Sequence, residues 1–348
     1  MKSSKRIIAT LVLLSSLLLV ILSAIQPTSA ISNHSSDGIS EWQPQTKISS
    51  STHGARKPVI RSSPVSNHIL LIYDQWKDAS GDNRAPYYSL STDGGTTWPS
   101  GQSIVNATGT SSQQAVGLLD YNDTAFAFWI EVSATNYSLV YSQRPVNGNW
   151  SAATIILTKL KTEGLLLDPN VTVDSNNTIH LVWSLQELST GTDIYYSYRP
   201  EAGAWHSPIR ISSPISPGVN PGSYDPAVAI ANNGDLHIVW QEEALGGNDE
   251  IRYSAGTISG TQFIPNTGWD YVKLSAADYN NTILPLINIA GSKMEIAYTH
   301  YKNQNQQRII WGSCILPCTG FGPNDFAPIT NFVDVNGSDP FGLVADLA

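Results

Sequence analysis

YDPAVAIANNGDLHIVW, Tyr224 to Trp240, contains the unit whose reading decides the fold. Asp225 and Pro226 open a short apolar run, Asn232-Asn233-Gly234-Asp235 turns the chain, and a second apolar run ends on Trp240. Short runs rich in β-branched and aromatic residues suit half-buried strands, and the Asn/Gly/Asp cluster is turn chemistry. Working outward, the aromatic-tipped run recurs as Leu70–Tyr73, Phe126–Trp129, His180–Trp183, His237–Trp240 and Glu295–Tyr298. Its closing aromatics are 56, 54, 57 and 58 residues apart. A further run follows each one, at Tyr88, Tyr141, Tyr196, Tyr253 and Trp311, spaced by 53, 55, 57 and 58 residues. Two markers keeping one period identify an internal repeat.

Each repeat predicts four strands. The first strands are expected at Pro58–Ile60, Ala115–Gly117, Pro169–Val171, Pro226–Val228 and Pro285–Ile287. The fourth strands are expected after tryptophans, at Trp98–Val105, Trp150–Ile156, Trp205–Ile211 and Trp269–Leu274. One four-stranded sheet cannot cover both of its own faces, whereas sheets packed radially cover one another. The expected fold is therefore an all-β propeller, with blades at about 56–106, 112–158, 166–213, 223–275 and 282–331. Residues 41–50 resemble a fourth strand, and residues 337–348, around Asp339-Pro340, resemble a first strand. That pattern predicts six blades, five full and the last incomplete, with both chain ends in the closing sheet.

The N-terminal 30 residues stand apart. Lys2, Lys5 and Arg6 precede an apolar run from Ile7 to Ile25, and Thr28-Ser29-Ala30 offers small residues for cleavage. Two readings stand, a cleaved signal peptide or an uncleaved membrane anchor, and both place the rest of the chain outside the cytoplasm. Residues 31–40 read as a short linker. Beyond residue 30 there are 16 Lys and Arg against 28 Asp and Glu, a net charge of −12. With no basic cluster there, nucleic acid is excluded as a partner. A glycan or an extracellular protein is the expected partner, with the membrane met only through the N-terminal segment. Cys314 and Cys318 are the only cysteines, and in an oxidising compartment they read as a local disulfide rather than a metal site. No cofactor motif is present.

Ser91-Thr92-Asp93-Gly94-Gly95-Thr96-Thr97-Trp98 fits the pattern Ser-x-Asp-x-Gly-x-Thr-Trp between a third and a fourth strand. Asp93 can accept N–H bonds across the turn, the glycines permit its path, and Trp98 packs inward. Asn147–Trp150 and Ala202–Trp205 are worn copies. On these residues the chain resembles the sialidase-like Asp-box (BNR-repeat) propellers over about residues 41–348. The resemblance places Ser91, Asp93, Gly95, Thr97 and Trp98 in a structural turn on the rim.

The enzymes of that family clamp a carboxylate with three arginines and use a Tyr nucleophile assisted by Glu, with an Asp acid/base. Arg56-Lys57-Pro58 partly matches the family's Arg-Ile-Pro motif. Arg56, Asp82, Glu187 and Glu242 are the catalytic candidates by position. Asp168 and Asp225, each just before a proline, are expected to converge near the axis, as turn caps or as a ligand site. An acidic convergence repels a sialic-acid carboxylate. Trp76, beside Asp74 and Lys77, is the sugar-stacking candidate. The paired His180 and His237 occupy one repeat position and read as structural. The function expected is an exported, non-catalytic binding or scaffold propeller, and the alternative is an exo-α-sialidase-type glycoside hydrolase.

Overall fold

The computed structural model describes residues 46–49, 54–79, 83–105, 111–188, 191–212, 222–243, 249–268, 270–275, 281–303, 306–318 and 322–328. The N-terminal apolar segment, Trp42, Asp82, Trp269, Asp339 and Pro340 lie outside them, and with them the expected closing sheet.

Five antiparallel sheets follow one another along the chain. The first contains β1 (Ala55–Ser62), β2 (Ile69–Trp76), β3 (Arg84–Ser91) and β4 (Gln102–Ser103). The second contains β5 (Ser111–Leu119), β6 (Ala125–Val132), β7 (Asn136–Arg144) and β8 (Thr154–Leu160). The third contains β9 (Gly164–Val173), β10 (Ile179–Glu187), β11 (Gly191–Arg199) and β12 (Ile209–Arg210). The fourth contains β13 (Ser223–Ile230), β14 (Leu236–Glu243), β15 (Asp249–Ser259), β16 (Gln262–Pro265) and β17 (Val272–Lys273). The fifth contains β18 (Thr282–Ala290), β19 (Lys293–Asn303), β20 (Gln306–Ile315) and β21 (Phe326–Pro328). Within each sheet the strands lie in sequence order, and β1, β5, β9, β13 and β18 touch their counterparts in the neighbouring sheets. These first strands are therefore innermost, and the sheets are the blades of a propeller.

Two differences from the sequence expectation concern the outer strands. β4, β12 and β17 pair over only two residues each. The fourth blade also has an additional outer strand, because the long β15 pairs with β16 at one end and β17 at the other. The sequence pattern missed β16 because no tryptophan precedes it.

The core lies in the seams between blades. Trp129 is sealed against blade 1 beside Leu70 and Ile72, and Trp183 against blade 2 beside Phe128 and Leu139. Trp240 packs with Val182 and Ile194 of blade 3, and Tyr298 with Val239 and Tyr253 of blade 4. These four repeat aromatics therefore fill the seam toward the preceding blade. Farther out, Trp150 meets Tyr88 edge-on at 5.2 Å, and Trp205 meets Phe128 and Tyr141 at 6.0 and 5.9 Å. Cys314 and Cys318 form a disulfide, with Cys318 buried in the seam of blades 4 and 5.

The 91–98 turn is held by its own side chains. Ser91 Oγ donates to Asp93 Oδ1 at 2.8 Å and accepts from the Gly95 N–H at 2.9 Å. The Thr97 N–H and Oγ donate to the two carboxylate oxygens of Asp93 at 2.9 and 2.6 Å. Trp98 Nε1 donates back to the Gly95 carbonyl. Gly94 and Gly95 have φ of 71° and 87°, the left-handed region that glycine enters without cost. The bonds from Thr97, then Ser91, lower the Asp93 pKa to about 2.

Two outcomes are expected. Trp183→Ala, at a fully sealed position, should cost about 3–5 kcal/mol in urea unfolding. Because the Asp93 pKa is depressed, its bonds hold above the ordinary carboxylate range and are lost as pH falls toward about 2. Protection of the Thr97 amide, taken relative to its intrinsic exchange rate at each pH, should fall over that window, and Thr97→Ala should return the Asp93 titration toward its usual value.

Candidate functional site

One irregularity recurs in all five inner strands. Pairing between the first and second strands slips between Arg56 and Val59, Gln113 and Val116, Tyr224 and Ala227, and Ile283 and Leu286. In blade 3 the same slip falls between Val182 and Ser184 of β10. In each blade two inner residues oppose a single repeat aromatic, which is a β-bulge. The first bulge residue is left-handed every time: Lys57, Gln114, Asp168, Asp225 and Leu284, with φ between 47° and 59°. Asp tolerates that conformation, whereas Lys, Gln and Leu hold it at a cost of order 1 kcal/mol each.

The bulges bring side chains from separate blades together. Lys57 Nζ of blade 1 reaches Asp168 Oδ1 of blade 3 at 3.5 Å, across the axis. Gln114 of blade 2 donates from Nε2 to the same oxygen at 3.0 Å, and its Oε1 accepts from the Asp168 N–H at 2.8 Å. Asp225 of blade 4 stands near enough to Asp168 for the Asp168 charge to act on its carboxyl. Burial pushes Asp225 up, to about 7; the Asp168 charge adds to this, and Lys57 opposes it. Burial and the neighbouring Asp168 charge together favour the neutral form of Asp225.

Asp74, at the end of β2, is fully buried and fixes the next blade's bulge. Its two oxygens accept the Gln114 and Ala115 N–H groups at 2.8 and 2.9 Å. Arg56 Nε lies 3.9 Å from the same carboxylate. Burial lowers the Arg56 pKa, the neighbouring Arg84 lowers it further, and Asp74 partly offsets both. Arg84 in turn donates to Gln113 at 3.4 Å.

Of the residues singled out in the sequence, Asp168 and Asp225 meet at the axis. They are not caps ahead of their strands: β9 and β13 begin upstream, and both aspartates lie inside the strand, on the bulge. Arg56 stands one residue from the cluster. Glu187 is off the axis, paired with Lys159 at 3.2 Å. Trp76 is half-buried, its ring lying against Gly54, where a Cβ would come within 2.5 Å.

Glu242 belongs to a buried cluster in the seam of blades 3 and 4. It accepts from Ser223 at 2.7 Å, from Trp240 Nε1 at 2.8 Å, and from the Tyr271 hydroxyl. Burial raises the pKa of both Glu242 and Tyr271. This Tyr–Glu pair points toward the outer strands rather than the axis. Arg252 stays beside it, bonded to Glu250 at 2.7 Å.

Lys57, Gln114 and Asp74 were not selected as site residues from sequence. Aligning the five first strands on the residue before Pro58, Ala115, Pro169, Pro226 and Pro285 would have found the first two. At the far end of the axis, by the turns between first and second strands, the inner strands enclose a cavity of about 520 Å³. Asn170, Val171, Val228 and Ile287 line it, and it is separate from the carboxylate pair.

Asp168→Asn should lower the Asp225 titration toward the ordinary carboxylate range, and Lys57→Ala should raise it, both read by carboxyl NMR. Because the folded value of Asp225 lies above the ordinary carboxylate value of 3.8, its contribution to stability is largest below about pH 4. That contribution is lost as pH rises toward 7, and Asp225→Asn should flatten this slope in thermal melts.

No protein-family model matches the chain, and no curated protein sequence does. Solved structures do. An α-L-arabinanase of Penicillium chrysogenum, complexed with arabinobiose, aligns at a TM-score of 0.55 and 12% identity, over 78% of this chain and 80% of the other. The Hadza microbial sialidase Hz136 aligns at 0.54 and 12% identity, over 75% of this chain and 56% of that one. Trypanosoma rangeli sialidase aligns at 0.53 and 14% identity, over 82% and 50%. This chain thus spans about half the length of the two sialidases. At such identities the likeness establishes the fold, a β-propeller of the kind on which sialidases and arabinanases are built.

Proposed function

We propose that this chain is an exported, sialidase-like propeller of the Asp-box type that binds glycans at its axial cluster without hydrolysing them. The observation that carries this reading is the Asp168–Asp225 pair, supported by Lys57 and Gln114, on the converging inner strands. A carboxylate, a second carboxyl group that burial favours as the neutral acid, an ammonium and an amide together offer donors and acceptors matched to sugar hydroxyls. The same acids oppose a sialic-acid carboxylate. Arabinobiose and sialic-acid-processing relatives of the fold support glycan as the ligand class, and the N-terminal apolar segment supports export.

The sialidase alternative draws on Arg56 and the nearby Arg84. Against it, Arg56 is engaged with buried Asp74, and the Tyr271–Glu242 pair lies off the axis.

The test uses the purified full chain with a panel of neutral oligosaccharides and a fluorogenic sialoside. A neutral glycan should bind, with affinity falling about tenfold or more in Asp225→Leu, a substitution that copies blade 5. No sialoside should be released. Sialoside turnover that is abolished by Arg56→Ala would overturn the proposal.

A further inference from the structure

The seam between blades 4 and 5 opens, at its turn end, into a cavity of about 320 Å³. His237, Tyr253 and Asn266 of blade 4 line it, with Leu316, Pro317 and Cys318 of blade 5 opposite. This size sits at the lower end of small-molecule sites, roughly 300–1,000 Å³.

Blade 3 shows what the repeat places there when the seam is filled. His180 Nδ1 bonds the Tyr196 hydroxyl at 2.8 Å, and its Nε2 faces Asp174 Oδ2 at 3.6 Å. In blade 4, His237 Nδ1 bonds the Tyr253 hydroxyl at 2.6 Å in the same way. Counted back from Trp183 and Trp240, however, the counterpart of Asp174 is Ala231. The carboxylate is missing, and the cavity lies where it would reach.

Neutral imidazole can carry its proton on either nitrogen. The Nδ1–H form fits this pocket: Nδ1–H donates to the Tyr253 oxygen at 2.6 Å while the Tyr253 hydroxyl proton points to Met294 Sδ at 3.6 Å. In that form Nε2 presents a bare lone pair to a ligand that donates. His237 is only 4% exposed, and among the described residues nothing bonds this nitrogen. Burial pushes the imidazole down to about 4, so the ring is neutral at ordinary pH.

The rest of the wall narrows the ligand. Asp235 Oδ2 already accepts from Asn233 and Asn266, both at 2.9 Å. Its charge disfavours an anion. Leu316, Pro317, Ala255 and the disulfide make most of the remaining wall apolar, which disfavours a fully hydroxylated sugar. A slot between two sheet faces favours a flat body.

We propose that this cavity is a second ligand site, separate from the axial cluster, for a small uncharged planar molecule of the phenol or indole class. Its single O–H or N–H donates to His237 Nε2, and its apolar body lies against Leu316, Pro317 and the disulfide.

The test titrates phenol, and toluene as its donor-free shape match, into the full chain. Binding is followed by melting temperature and by the nitrogen resonance of His237 Nε2. Phenol should bind about tenfold tighter than toluene, the value of one neutral hydrogen bond, and should shift that resonance. His237→Phe should erase the preference. Ala231→Asp, which rebuilds the blade 3 pairing, should weaken phenol at least tenfold and carries the test if His237→Phe does not fold. The proposal is overturned if phenol and toluene bind equally. It is also overturned if Ala231→Asp leaves phenol binding unchanged, or if neither phenol nor indole binds at about 10 mM, where fragments of this size register.

Discussion

Everything at the axis depends on the bulge that sets two inner-strand residues against one buried aromatic. Trp129, Trp183 and Trp240 are fully sealed, and Tyr298 nearly so. Opposite that aromatic, in every blade, the inner strand absorbs an additional residue. The added residue turns left-handed, and in blades 1 to 4 its side chain reaches inward. The aromatic thus does two things at once. In blades 2 to 5 it fills the seam to the preceding blade, and in blades 1 to 4 it sits opposite the bulge whose side chain meets the others at the centre.

Those aimed side chains do not repeat. The backbone geometry is the same five times over, while the residues are Lys57, Gln114, Asp168, Asp225 and Leu284. A repeated scaffold with a varied centre is the arrangement expected where the scaffold is generic and recognition is local. The strain of left-handed Lys, Gln and Leu is held in place by seams that leave the bulge no alternative. Asp74 adds a direct lock, because its buried carboxylate holds the Gln114 and Ala115 amides.

Single deviations from the repeat are equally informative. Ala231 in place of an aspartate opens a cavity beside His237, although the histidine and its tyrosine partner are retained. Glu242 gathers Ser223, Trp240 and Tyr271 into a polar knot in the seam of blades 3 and 4, and the lengthened β15 carries an additional outer strand. Each departure changes what one seam can hold without disturbing the order of the blades.

The sequence by itself determined the all-β class, the repeat of four strands and the seam position of the aromatics. These depend on local periodicity and turn chemistry, which are written in neighbouring residues. It also marked Asp168 and Asp225, because an acid before proline at one repeat position stands out. Only the tertiary structure decided that these acids lie inside bulged strands rather than in caps. It alone joined Lys57 and Gln114 to them, since contacts across the axis link residues 54 to 111 positions apart. It likewise separated Glu187 and Glu242 from the centre. Position along a strand does not say which way a side chain turns; the packing of one blade against the next does.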